Sequence, residues 1–170
     1  MVVIRFLHSL ALAVWLGGIA VLGAVVAPAT FQVLQANDAA RGRVLAGAVF
    51  GTVLDRFQIV AYVCAAVVLV TLAAMARVTT RRSDVLVRGA IAAAMLAITL
   101  FMGVRLYPEV DRVQATIGAG VSPSTLEAGD PRRIRFDTLH ARSTRLMQLN
   151  LVGTLILLAW HARSASQARG

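Results

Sequence analysis

Three histidines, one cysteine and eight carboxylates are all the conventional ligating and acid–base chemistry in this chain of 170 residues. His8 stands early in the first apolar stretch, on the helical face shared by Leu12 and Trp15, and His161 closes the last apolar stretch beside Trp160. An even number of membrane crossings returns both to one side, at similar depth on neighbouring antiparallel helices. Two imidazoles so placed suit the axial positions of a haem b or a single soft metal ion such as copper. The plainer alternative makes His161 an interfacial residue and gives His8 a hydrogen bond to a neighbouring backbone. His140 belongs to the opposite surface and cannot join them. Met95 and Met102 share one face of the third stretch, where Cu(I) ligation competes with ordinary core packing. Cys64, alone inside an apolar run, excludes disulfides, paired-cysteine redox chemistry and CxxCH haem attachment.

A second group gathers at the outer boundary. Asp55 and Arg56 precede the second apolar stretch, Arg105 closes the third with Glu109 and Asp111 just beyond it, and His140, Arg142 and Arg145 open the fourth. With Asn150 these form a candidate outer polar cluster, within which Arg105, Asp111, His140 and Asn150 are expected to converge. Arg105 needs an anionic partner at membrane depth: Asp111 if the chain turns back at Pro108, or Asp55 arriving from the second stretch. One use of such a cluster is a vestibule for an anion, metal or substrate; the other is a set of ion pairs and snorkelling arginines that anchor helix ends. Along the last stretch Ser143, Met147, Asn150 and Thr154 recur at helical spacing, with Gln148 beside them. Polar groups of this kind either hydrogen-bond between helices or line a hydrated path.

The elements that must position these residues are membrane helices. Hydrophobic residues make up 58% of the chain and charged ones 15%, against about 45–50% and about 25% in a soluble domain. The apolar runs exclude a soluble nucleic-acid binder despite the net charge of +9, all of whose basic residues are Arg. Spans are expected at about 6–30, 57–76, 89–107 and 146–161, in one domain covering 1–170. The charge-free parts of the last two give only about 24 and about 22 Å of helix against a hydrocarbon core of about 30 Å, so charged ends must dip or snorkel. The first stretch exceeds the length of a signal-peptide core, and Pro28 sits inside the A-x-A candidate Ala27-Pro28-Ala29; it is expected to remain as a helix.

Arg77, Arg81, Arg82 and Arg88 crowd the short second connection, which places it and both termini in the cytoplasm, in the inner membrane of a bacterium. Residues 39–55 are expected to form a protruding or interfacial helix leading into the second span, bent near Gly47 and Gly51. Asp130-Pro131 signals the start of helix four outside the membrane, and residues 118–129 have the composition of a flexible loop. Gly17, Gly18 and Gly23 point to close helix packing. The expected fold is all-α: an integral membrane antiparallel four-helix bundle with helices 2 and 4 extended beyond the outer membrane surface.

Several motifs add a resemblance. Leu7-His8, Ala13-Val14-Trp15-Leu16-Gly17-Gly18 and Val26-Ala27-Pro28-Ala29-Thr30-Phe31 stand in the first span. Gly42, Leu45, Gly47 and Phe50 follow, then Arg105 with Tyr107-Pro108-Glu109-Val110-Asp111, then Phe136-Asp137-Thr138-Leu139-His140-Ala141-Arg142-Ser143 and Asn150. In this order they resemble an uncharacterised family of small membrane proteins, the one that includes transmembrane protein 205. The chain departs from that pattern after Phe50, with Gly51 and Thr52 where a Pro and an aromatic pair are expected. The first span is also similar to copper-resistance D-type membrane domains and, more distantly, to the haem-binding membrane protoporphyrinogen oxidase family. The resemblance implies a four-helix bundle, a haem or metal ligand at His8, and metal or drug handling.

The chain has no phosphate-cradling glycine loop, HExxH or nucleophile elbow, which argues against an enzyme. The leading expectation is a small integral membrane scaffold or assembly protein, whose polar residues only mediate helix contacts, or a transport-accessory protein that uses the outer polar cluster. The alternative is a haem- or metal-binding protein using His8, perhaps with His161. Its partners are the lipid bilayer and a membrane protein or a second copy, with no nucleic acid.

Overall fold

The structure, a computed structural model, describes residues 2–77, 82–118 and 120–167. Arg81 and Arg169, which carry part of the charge argument for orientation, lie outside the described residues. Four long helices account for nearly everything described, and no strand occurs among these residues. Helix α1 spans Val2–Asn37 and α2 spans Ala39–Ala76. Helix α3 starts at Arg82 and runs through a π-turn, Met102–Leu106, to Ile117. Helix α4 spans Pro131–Gln167, and a short 3₁₀ turn, Pro123–Thr125, interrupts the loop before it.

At about 1.5 Å per residue each helix is more than about 50 Å long, far beyond a hydrocarbon core of about 30 Å. All four helices are therefore longer than a hydrocarbon core requires. By length and composition α1, α2 and α3 are each apolar enough to cross a membrane. In α4 the apolar run is interrupted by Gln148 and Asn150, and this helix packs against α1 and α3 instead. Large apolar side chains stand exposed along the outside of the bundle, among them Val14, Val25, Val63, Val70, Leu155 and Ile156. Such a surface would aggregate in water and is the surface that lipid requires. The chain is an integral membrane helical bundle.

Two prolines explain why α1 and α3 continue. Pro28 and Pro108 each lack an N–H, and each ring would clash with the carbonyl one turn earlier. In both helices a π-turn, Leu22–Val26 and Met102–Leu106, lies immediately ahead of the proline segment and absorbs the misfit, so the chain does not break. The chain does not turn back at Pro108, the condition for pairing Asp111 with Arg105, and α2 runs unbroken through Gly47 and Gly51. Gly23 and Gly103 keep the same spacing as the two prolines, so each π-turn holds a glycine.

A single residue reverses the chain between α1 and α2. Asp38 is extended, its N–H caps Leu34 O at 3.3 Å, and its Oδ1 accepts the Arg41 N–H at 2.9 Å, so it ends one helix and starts the next. Gly42 then lies so close to Leu34 that a Cβ would overlap the Leu34 carbonyl. The segment expected to be flexible, 118–129, is tied down: Gly118 and Gly120 take φ of 114° and 82°, Gln114 donates to Val121 O, and Arg43 donates to Ser124 Oγ at 2.7 Å.

The core is built around the wholly buried Leu12, Trp15, Ala65, Val68, Ala92 and Leu157. Met95 packs in it against Gly153, and Met102 joins Leu106 and Leu139 in a second cluster, so both methionines are core residues. Of the three α1 glycines only Gly18 makes a close approach, beneath the Phe57 ring; a Cβ at Gly17 or Gly23 would meet nothing.

Candidate functional site

The outer candidates are not joined by ion pairs among the described residues. Asp55, Arg56, Arg105, Asp111 and His140 are all exposed, and no ion pair among these residues includes any of them. The His140 ring stacks on Phe136 at 6.1 Å. Glu109 pairs with Arg112 and, across helices, with Arg135 at 2.9 Å, instead of with Arg105. Asp111 and Asp55 lie near enough to feel each other's charge, a juxtaposition of two acids and not of an acid with Arg105. Asn150 is buried and turns inward to α3. The convergence of Arg105, Asp111, His140 and Asn150 is therefore corrected: α3 does not fold back at Pro108, Arg105 leaves the π-turn on its outward side, and Asn150 sits almost three turns deeper along α4 than His140.

The inner candidates meet. His8 is fully buried on the α1 face that also carries Ala11, Leu12 and Trp15, and His161 is 8% exposed on the α4 face that carries Thr154 and Leu157. Their ring centroids are 4.8 Å apart, with the planes inclined at 45°. The other two helices each add a residue. Thr71 of α2 contacts His8 Nδ1 through its hydroxyl at 2.8 Å. Arg88 of α3 is 8% exposed, its guanidinium lies 5.8 Å from the Trp160 ring centroid, and both histidines feel its charge.

The hydrogen bonding favours one tautomer of His8. The Thr71 hydroxyl carries one proton, and it lies 2.7 Å from Val67 O and 2.9 Å from Val68 O, acceptors that claim that proton. Toward His8 it accepts, so a neutral His8 ring carries its proton on Nδ1 and presents a bare lone pair at Nε2. His8 Nε2 and His161 Nδ1 are both buried and have no hydrogen-bond partner among the described residues. Buried polar atoms are paired as a rule, so two orphan imidazole nitrogens on touching rings point to a missing electrophile or proton donor.

The ring separation tests the ligands suggested by the resemblance. With metal–nitrogen bonds of about 2.0–2.1 Å, two imidazoles on opposite sides of one iron hold their centroids roughly 6 Å apart, and two imidazoles at a tetrahedral ion roughly 5 Å. The observed 4.8 Å does not fit a haem clasped between the pair and fits adjacent positions on one ion. No group of three or more His, Cys, Asp or Glu suited to a metal occurs among the described residues.

A second polar site lies in the middle of the bundle. Asn150 Nδ2 donates to Thr99 Oγ1 at 3.0 Å, Thr99 Oγ1 donates to Met95 O at 2.8 Å, and Gln58 Nε2 donates to Thr99 O at 2.6 Å. Sequence reasoning singled out Asn150 but neither Thr99, Gln58 nor Thr71, and it treated Arg88 only as a boundary charge. The available signal was phase: Thr71 follows Val68 on one helical face, and Thr99 follows Met95. Gln148, by contrast, is exposed and joins no core contact.

A lipid-facing surface over a helical bundle with an interior polar site defines a small integral membrane protein. A family model described as a domain of unknown function, DUF4149, matches residues 10–119, and the chain belongs to that uncharacterised family. The matched region holds α1 from Leu10 onward, α2 and α3, and leaves His8, His161 and Asn150 outside it. No curated protein and no solved structure matches the chain.

Proposed function

We propose that this protein is a membrane-embedded binding protein whose ligand is a single soft metal ion, held by His8 Nε2 and His161 Nδ1. The observation that carries the reading is the pair of buried, partnerless nitrogens on rings 4.8 Å apart. Thr71 supports it, because a ligating histidine is commonly fixed by a hydrogen bond from its other ring nitrogen. Arg88 narrows the choice: a buried guanidinium repels a dication more than a monocation, which favours monovalent copper. Two protein donors leave coordination open to a ligand from solution, and Arg88 favours an anionic one. The similarity of the first span to copper-resistance D-type domains, and the metal handling implied by the family that includes transmembrane protein 205, agree with this reading. The Arg-rich α2–α3 connection supports a cytoplasmic side for the site, in a bacterial inner membrane. The transport-accessory reading, which rests on the outer cluster, has less support because no ion pair joins its members among the described residues; a scaffold whose polar residues only mediate helix contacts is the second reading, favoured by the Asn150–Thr99 and Gln58–Thr99 bonds.

The test is a titration of the detergent-purified protein with Cu(I) under reducing conditions, against a chromophoric chelator. One equivalent is expected to bind, to be lost in His8→Ala and in His161→Ala, and to bind more tightly in Arg88→Met. Wild-type binding no stronger than that of the His8→Ala/His161→Ala double variant overturns the reading. A Soret band in protein from haem-supplied cells replaces it with a haem.

A further inference from the structure

Asn150 has an amide oxygen with nothing to accept from. Its orientation follows from the hydrogen-bond logic: the Thr99 hydroxyl gives its proton to Met95 O, so it can only accept from Asn150 Nδ2, which turns Oδ1 the other way. Asn150 is 4% exposed, and Oδ1 is buried without a partner among the described residues. An acceptor orphaned at this depth is costly, because lipid supplies no donor.

The same residue lines a small cavity whose wall draws on all four helices: Trp15 from α1, Gln58 and Ala61 from α2, Thr99 and Tyr107 from α3, and Asn150 from α4. Its volume is about 20 Å³, against the roughly 10–15 Å³ that one water needs. A buried water also needs two to four polar partners. Gln58 uses only one of its two amide protons on Thr99 O, and Tyr107 adds a hydroxyl-bearing side chain to the wall. An apolar ligand would leave Oδ1 orphaned, and anything much larger than water does not fit.

We infer that the centre of the bundle holds one water molecule, which donates to Asn150 Oδ1 within the wall formed by Gln58, Thr99 and Tyr107. This site is separate from the histidine pair and does not depend on it. Its effect is to join α2, α3 and α4 through one polar network midway across the bundle.

The sequence contains only two asparagines, Asn37 and Asn150, so selective ¹⁵N-asparagine labelling of the full chain in detergent gives two side-chain amide signals. The Asn150 amide is expected to show a cross-peak to water, with nuclear and rotating-frame Overhauser effects of opposite sign, the signature of a long-lived bound molecule. The exposed Asn37 amide is the internal control for bulk solvent. Magnetisation relayed through the Thr99 hydroxyl would give a similar peak, so the measurement is repeated in Thr99→Val: persistence supports the water, and loss overturns it. Absence of the peak in the wild type also overturns it. If Thr99→Val does not fold, an experimental structure decides by whether ordered density lies within hydrogen-bonding distance of Asn150 Oδ1 or the cavity is empty.

Discussion

Replacing Thr71 with Val keeps the shape of the side chain and removes only its hydroxyl. In the wild type that hydroxyl accepts His8 Nδ1–H at 2.8 Å in a fully buried setting. Its own proton goes to Val67 O or Val68 O, carbonyls that also belong to the helical ladder and are not orphaned by the change. The cost is therefore one buried imidazole donor left unpaired. Orphaning a buried donor costs about 1–3 kcal/mol, while side-chain hydrogen bonds measured in membrane proteins average about 0.6 and reach about 1.7 kcal/mol. The ranges overlap between about 1 and 1.7 kcal/mol, and a destabilisation in that window is expected for Thr71→Val. Thr154→Val is the control: Thr154 is equally buried, but its hydroxyl donates only to Asn150 O and Leu151 O in its own helix. Losing such a local bond changes stability by less than about 0.5 kcal/mol. Reversible unfolding in mixed micelles, titrated with SDS and followed by tryptophan fluorescence, compares the two. Equal effects of the two substitutions, or no effect of Thr71→Val, would refute the assignment of Thr71 as the partner that orients His8. In the copper titration the same variant should bind about 10–100-fold more weakly, as loss of such a supporting hydrogen bond typically does.

Three further outcomes are expected. Gly42→Ala forces a methyl group into the Leu34 carbonyl and should destabilise the α1–α2 hairpin by about 1–3 kcal/mol, whereas Gly47→Ala, with open space around it, should gain about 0.5–1 kcal/mol; the same unfolding assay reads both. Arg105→Ala, with no ion pair to lose, should leave stability within about 0.5 kcal/mol of wild type, and a marked loss of folded yield would restore a buried role for Arg105. Asp130 caps α4 and is held by hydrogen bonds from Arg132, which lower its carboxyl pKa from 3.8 to about 2. Because the folded value lies below the unfolded one, the cap contributes fully above about pH 4 and fades as pH falls through about 2; a carboxyl ¹³C titration with its midpoint near 4 would contradict this.

Membrane class, helix number and the meeting of His8 with His161 at one end of the bundle were legible in the chain. They follow from the lengths of the apolar runs and from the up-and-down alternation of four helices, which returns the end of the fourth to the start of the first. The course of the outer segments was not. Proline statistics suggest a break at Pro108, but a π-turn keeps the hydrogen-bonded rod intact. Its extra residue also rotates the helical face by about 100° relative to a regular helix, and a sequence pattern read at 3.6 residues per turn cannot see that slip. Arg105 lies in that turn, facing outward, apart from the acids that looked like its partners. Only tertiary packing decided that Thr71 would meet His8, that Arg88 would lie against Trp160, and that Asn150 would find Thr99. Each of these contacts depends on which helices are neighbours and on their relative rotation, because hydrogen bonds require matched positions on two helices while an apolar face can pack against any other.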